Sequence, residues 1–241
     1  MDLREPNDFR YEQPVRGDSL ADQVYRQLST AILSGSFAPL ERINIRRLAE
    51  EIGVSATPVR EAVVRLVADG VLQINDKNAI FVPERSETEI EEIFTIRRAL
   101  EGDMAERAAE KLTLADIEFL KETQHDFLRS LDESNFKAVL RYNSIFHFYI
   151  YTKSELPLHL KITEGLWLRI GPTLRYMYPI LQNNRTDHRR HEDIIESATR
   201  RDPIGLRNAI LADLASSFVA LKQYIEIYSS QNAPSRTRAV S

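Results

Sequence analysis

From residue 87 to about residue 228 apolar side chains return every three to four positions, and no stretch alternates as a half-buried strand does. Over so long a run that rhythm permits one kind of architecture, a set of amphipathic helices burying their stripes against one another. Helices are predicted over roughly 87–110, 114–131, 135–152, 156–180, 185–201 and 203–228. The starts of two are marked. Ser86 with Glu89, and Thr113 with Asp116, have the spacing by which an N-cap hydroxyl and an N3 carboxylate satisfy each other's backbone amides.

Upstream the pattern is shorter and more often broken. Leu20, Val24, Leu28 and Ile32 make a stripe on a first helix that stops near Gly35, with Pro39 in the connection. Ile45, Leu48, Ala49 and Ile52 share a face of a second helix ending at Gly53. After Gly53-Val54-Ser55 a third begins, with Ser55 as N-cap and Pro58 in the first turn, where amides lack helical partners anyway. Val59, Ala62, Val63 and Leu66 form its buried stripe. Val71–Ile74 and Ala79–Val82 read as strands flanking Asn75-Asp76-Lys77-Asn78. That order is a winged helix-turn-helix. The chain is thus predicted to be mainly α: a winged helix-turn-helix (three helices plus a β-hairpin wing) over 19–83, a linker at 84–87, and an all-α six-helix bundle over 88–228. Residues 1–18 and 229–241 read as polar tails.

Composition narrows the function classes. Cysteine is absent, so neither disulfides nor thiolate metal sites are available, and a cytoplasmic location is expected. The first residues lack the apolar run of a signal peptide, and no window reads as an uninterrupted apolar span; no membrane partner is expected. The net charge of −4 does not advertise a nucleic-acid binder, and residues 1–85 hold eleven Lys and Arg against thirteen Asp and Glu. A DNA reading therefore rests on where the arginines point.

In a helix-turn-helix the second helix of the pair enters the major groove, with its N-terminal residues towards base edges. Here those are Ser55-Ala56-Thr57-Pro58-Val59-Arg60. Arg60 lies one turn in, away from Val59 and Val63, and its fork of donors suits a guanine edge or a phosphate. Ser55 and Thr57 hydroxyls can bond phosphate. Arg46 and Arg47 sit on the preceding helix, Arg65 continues the exposed face, and Lys77 at the hairpin tip can reach a minor groove or phosphate. Each of these could equally be an ordinary solvated surface charge.

The run IRRLAEEIGVSATPVREAVVRLVADGVL resembles the signature of the GntR family of regulators. The resemblance covers residues 20–82 and implies that Arg46, Ser55, Thr57, Arg60 and the wing carry double-stranded operator DNA. Two positions depart from the pattern. Ala56 stands where many members have arginine, and Asp76-Lys77-Asn78-Ala79 replaces a glycine beside a basic residue at the wing tip. Both put a contact in doubt without touching the fold.

Residues 88–225 are similar to the FCD effector domain of the FadR-type GntR regulators, an antiparallel helical bundle with a central cavity. The resemblance rests on Ile96-Arg97-Arg98-Ala99-Leu100-Glu101, on Asn143 with Phe146-His147, on His191 before Ile194-Ile195, and on Asp202. The helix number resembles the shorter VanR-like branch, and Leu166-Trp167-Leu168-Arg169-Ile170-Gly171-Pro172 resembles a McbR-like one. Asn143 and His147 are spaced i, i+4 on one side of a helix. His191 is in register with Ile194, Ile195 and Ala198, and Asp213 with Leu206, Ala209, Ile210 and Ser217. Polar groups sent into an apolar bundle want partners. A divalent metal (Zn, Ni or Mn) held by Asn143, His147, His191 and Asp213 is one solution. The other is a hydrogen-bonded cluster, with His191 paired to Asp213. By resemblance these positions hold a carboxylate and three histidines in metal-binding members, so two of four have changed here. Arg97 can either meet a small carboxylate effector, as the resemblance implies, or pair with Glu101. Tyr176 and Tyr178 can line the cavity or be plain core. His125, His159 and His188 read as surface residues.

The first functional reading is a ligand-responsive DNA-binding transcriptional regulator, a repressor working as a homodimer on a palindromic operator. The competing reading is a metal-dependent HD-type helical hydrolase. His125-Asp126 is an adjacent His-Asp pair, but His125 is the first histidine of the chain and the upstream ligand is missing. No phosphate loop or nucleophile elbow is present, so no enzyme is expected. A helical adaptor that has lost DNA binding is a third reading. It leaves Thr57 and Arg60 without a role.

Overall fold

A computed structural model describes residues 19–177 and 189–232, with side chains to residue 225. Three short helices lead the chain: α1 (Leu20–Leu33), α2 (Ile45–Ile52) and α3 (Ala56–Ala68). Each boundary has a local cause. Ser19 caps α1 by accepting from the Asp22 amide, 3.1 Å. The Asn44 carboxamide accepts from the Arg46 and Arg47 amides at the head of α2, and Gly53 closes that helix at φ +78°. Val24, Leu28, Ile32, Leu48, Ala49, Ile52, Val59, Ala62, Val63 and Leu66 are all buried in one core. Leu20, predicted to start the first stripe, is instead 39% exposed at the first residue of α1.

The wing is shorter than predicted. β1 (Gln73–Ile74) pairs antiparallel with β2 (Ile80–Phe81), Gln73 opposite Phe81 and Ile74 opposite Ile80. Val71 and Leu72 do not extend β1. Their amides both bond the Leu66 carbonyl, at 2.9 and 3.1 Å, so they close the end of α3 and drop their side chains into the core. The Asn75 side chain accepts from the Lys77 and Ala79 amides and shapes the tip, with Asn78 at φ +58°. The α1–α2 connection joins the wing: Ile43 N–H donates to Ile80 and Val82 N–H to Glu41.

The remainder is helical: α4 (Glu87–Ala108), α5 (Leu114–Asp132), α6 (Phe136–Thr152), α7 (Pro157–Leu174), α8 (Arg190–Thr199) and α9 (Pro203–Asn232). Both predicted capping boxes form, Ser86 with Glu89 and Thr113 with Asp116. α7 ends at Leu174, short of the predicted 180, two residues after Pro172, which has no N–H to donate. The Asp202 carboxylate accepts from Gly205 N–H at the start of α9. α9 lies along α4 and α8, α5 along α6, and α7 touches both α4 and α1. Phe94, Met104, Phe146, Ile150, Ile194 and Ile210 are fully buried in the bundle core.

Residues 203–225 have a mean hydropathy of 1.4, enough by length and composition to cross a membrane. One side of that helix packs on α4 and α8, so burial within the bundle accounts for part of its apolarity.

The candidate DNA face and the buried polar cluster

On α3 the polar and apolar edges separate as predicted. Val59, Ala62, Val63 and Leu66 are fully buried, while Thr57 and Arg60 stand in solvent three residues apart, neighbours on one face. Ser55 holds the N-cap position without a side-chain capping bond. Arg46 is exposed on α2, and among the described residues no carboxylate pairs with it or with Arg60. Two other predicted contacts are engaged within the head. Arg65 meets Asp22 at 2.6 Å and lies 4.2 Å over the Tyr25 ring, and Arg47 pairs with Glu51 at 2.7 Å. Lys77 is exposed at the wing tip.

Inside the bundle, helical spacing brings side chains from six helices together. Arg97 and Glu101, one turn apart on α4, form a buried pair with Nε 2.6 Å from Oε1. This is the pairing with Glu101, one of the two roles the sequence offers for Arg97. Glu101 also accepts from Tyr151 Oη at 2.6 Å and Trp167 Nε1 at 2.9 Å. Arg97 lies 4.3 Å over the Trp167 ring. Burial first, and then the Glu101 charge, push the Tyr151 phenol well above its ordinary range.

These bonds fix the histidine chemistry. Tyr151 spends its proton on Glu101, because a carboxylate only accepts. The phenolic oxygen then accepts from His147 Nδ1, 3.2 Å away. Nε2 of His147 is left as the atom facing Asp213, 3.3 Å from Oδ2. His191 reaches a different partner through Nδ1, which lies 2.6 Å from Gln124 Oε1, and its ring stacks on Phe146 at 4.2 Å. Burial works to raise the Asp213 pKa, but the bond from His147 and the charges of His147, His191 and Arg97 bring it below the ordinary value. Ligand atoms of His147, His191 and Asp213 all lie within 4.8 Å of one another. Asn143 is half-buried one turn before His147. Two imidazole nitrogens and a carboxylate are a donor set that fits a borderline divalent ion.

Sequence reasoning missed Tyr151, Gln124 and Trp167 as members of this cluster. For Gln124 a signal existed, since it falls in register with Ile117, Leu120 and Phe127 on the buried stripe of α5. Tyr176 stacks on Tyr224 of α9 at 4.7 Å. His125 is exposed as predicted, whereas His159 is half-buried and faces Asp103 at 3.3 Å. Tyr178 and His188 lie outside the described residues.

Comparison with known proteins gives this arrangement its context. Residues 20–82 match the family described as bacterial regulatory proteins, gntR family, and residues 92–216 match the FCD domain. The chain is 31% identical over 207 residues to the HTH-type transcriptional regulator McbR of Escherichia coli K12, covering 84% of this chain and 92% of that protein. It is 27% identical over 231 residues to the HTH-type regulator YdhC of Bacillus subtilis 168, covering 91% and 97%. The solved structure of E. coli McbR/YncC superposes with a TM-score of 0.81 at 29% identity, covering 87% of this chain and all of that one. Neither the hydrolase nor the adaptor reading is favoured by this kinship. With a GntR head joined to an FCD bundle, the chain belongs to the GntR family of bacterial regulators, in its FadR-type, FCD-bearing division, as a ligand-responsive DNA-binding transcriptional regulator and not an enzyme.

Proposed function

We propose that this regulator is a cytoplasmic repressor that binds a palindromic operator as a homodimer, with the N-terminal end of α3 in the major groove. The observation that carries the reading is the split of α3 into a fully buried aliphatic edge and an exposed edge bearing Thr57 and Arg60. Arg60 reads a base edge, Ser55, Thr57 and Arg46 grip phosphates, and Lys77 gives the wing a weaker contact. Arg47 and Arg65 contribute less, since each is already paired. One head offers too few contacts for operator specificity, so two copies are needed. The apolar surface of α9, with Val219 54% exposed, is available to a second copy. Light scattering should give twice the 27.8 kDa chain mass. Affinity for its own promoter duplex should fall steeply with salt. A monomer whose DNA binding ignores salt would sink the reading.

In the bundle, His147, His191 and Asp213, with Asn143 beside them, would hold a divalent cation such as Zn, Ni or Mn. The cation would neutralise the partly buried Asp213 carboxylate and offer an open position to a small carboxylate effector. Arg97, committed to Glu101, then acts by holding Glu101 and Trp167 in place rather than by touching the effector. The 3.3 Å contact of His147 with Asp213 supports a second reading, a protonated imidazole paired with the carboxylate around an ordered polar pocket. Elemental analysis of purified protein separates the two. About one metal per chain, lost in His147→Ala, supports the first reading, and none after incubation with Zn, Ni or Mn supports the second.

A further inference from the structure

The segment Trp167-Leu168-Arg169 is buried or engaged on every side, although one helix face would suffice for bundle packing. Successive helical residues point about 100° apart, so these three side chains reach three different places. Trp167 enters the polar cluster, donating to Glu101 at 2.9 Å with its ring 5.6 Å from that of His147. Leu168, 5% exposed, belongs to the head's core and not the bundle's. Arg169 crosses to the far end of α3, where Nε donates to the Asp69 carbonyl at 2.9 Å.

The Asp69 carbonyl is one that α3 cannot satisfy from within. Arg85 completes the same cap, donating to the Gly70 carbonyl and, at 3.4 Å, to that of Arg169. Two guanidinium groups thus close the C-terminal end of the helix whose other end bears Thr57 and Arg60, where positive charge also suits the helix dipole. The fit is close. A Cβ on Gly70, already at φ +67°, would lie 3.3 Å from the Arg169 guanidinium, and one on Gly171 would lie 3.1 Å from the Ile32 carbonyl of α1. Contacts this tight leave little slack for α7 to move without moving the head.

We propose that Arg169 is a positioning residue for the recognition helix, and that Trp167-Leu168-Arg169 conveys the state of the His147–Glu101 cluster to α3. The inference rests on the regulator reading above. A change at Glu101 or His147 shifts Trp167, and the same turn of α7 carries Leu168 in the head core and Arg169 at the end of α3. Linkage makes the coupling reciprocal, so DNA bound at α3 must be felt at Trp167.

Trp167 is the sole tryptophan, so its emission reports on this place alone. The test uses the full chain, a duplex selected by the protein from a random-sequence library, and hydrogen exchange over residues 56–72. Arg169→Ala should speed exchange at the C-terminal amides of α3 at least fivefold. Arg200→Ala, which alters an exposed pair with Glu196, should not. Duplex should change Trp167 emission in the natural chain; Arg169→Ala should still bind duplex but lose more than half of that change, and Arg169→Lys should restore most of it. Unaltered exchange in Arg169→Ala overturns the proposal, as does a full emission response from that variant or none from the natural chain when duplex is bound. A chain that bound no duplex at all would instead sink the operator reading, and the exchange result would then decide the coupling alone.

Discussion

On α3 the Arg60 guanidinium stands in solvent with no described carboxylate against it, whereas on α4 Arg97 is 3% exposed and shares Glu101 with Tyr151 and Trp167. The two arginines belong to one chain and are used in opposite ways. A group that must bind a partner from outside keeps its hydrogen-bonding capacity unspent and its charge hydrated, so removing it costs the fold little. A group buried in a bundle has no water to fall back on and must be satisfied from within. Its removal is felt as lost stability before it is felt as lost function. The comparison teaches how to separate the two roles by experiment: the head should lose affinity at constant stability, and the bundle should do the reverse.

The largest effect is expected from Glu101→Ala. It strands Arg97 without its carboxylate and leaves the Tyr151 and Trp167 donors without an acceptor. Breaking a buried pair from one side costs about 3–5 kcal/mol, which in a chain of this size should lower the thermal midpoint by about 10 °C. Circular dichroism melting checks it, and a midpoint within error of the natural chain would mean that the bundle treats this charge as the surface treats Arg60. Next comes Arg60→Ala. It should cost operator affinity about 1–3 kcal/mol, roughly 5- to 150-fold, with the melting midpoint unmoved. If affinity holds and stability drops, the assignment of roles between head and bundle is inverted.

How much of this was legible in the sequence follows the same division. The aliphatic stripe Val59, Ala62, Val63 and Leu66 is a one-helix pattern, so the exposed edge opposite it could be read directly. The caps at Ser86 and Thr113 are four-residue patterns and were equally plain. The wing was overdrawn because an apolar run such as Val71–Leu72 looks the same whether it pairs in a strand or folds over a helix end. The polar cluster was legible only in part. Periodicity tells that His147, His191 and Asp213 face inward, but not which meets which, since that depends on the azimuth and height at which α6, α8 and α9 pack. Hence Gln124 rather than Asp213 faces His191 Nδ1, and Asp213 faces His147. Trp167 carried no such signal, because the segment around it is apolar apart from Arg169. That pattern marks a helix wedged between two bodies as much as one inside a single bundle.

A third test moves to an ion pair that belongs to neither site. Asp116 is opposed by burial, but hydrogen bonds from Lys153 and Tyr149, each 2.6 Å, and from Thr113 hold its carboxyl well below the ordinary carboxylate range. A group whose folded pKa is depressed contributes stability above its unfolded pKa and loses it as pH falls through the folded one. Asp116→Asn should therefore cost about 1–3 kcal/mol at neutral pH, and the gap between the two proteins should close progressively below about pH 4. Urea unfolding at pH 7 and pH 3 checks it. A gap of equal size at both values would show that Asp116 acts through its shape as a cap and not through its charge.

The smallest effect sharpens the comparison within the head itself. Arg65 lies on the exposed side of α3 as Arg60 does, but its guanidinium is 2.6 Å from Asp22 and stacked 4.2 Å over Tyr25. Both partners are on α1, so Arg65 secures one helix against another at the surface. Exposed pairs of this kind contribute little, and a guanidinium already engaged has less to offer a phosphate. Arg65→Ala should therefore lower operator affinity by no more than about threefold, well under the loss from Arg60→Ala. Asp22→Asn, which frees the guanidinium, should strengthen DNA binding slightly and steepen its salt dependence by about one counterion. Titrations of the two single variants and the double variant at several salt concentrations decide the matter. Equal losses from Arg60→Ala and Arg65→Ala would mean that the pairing with Asp22 opens on DNA, and that exposure alone, not prior engagement, determines which arginines of the head are used.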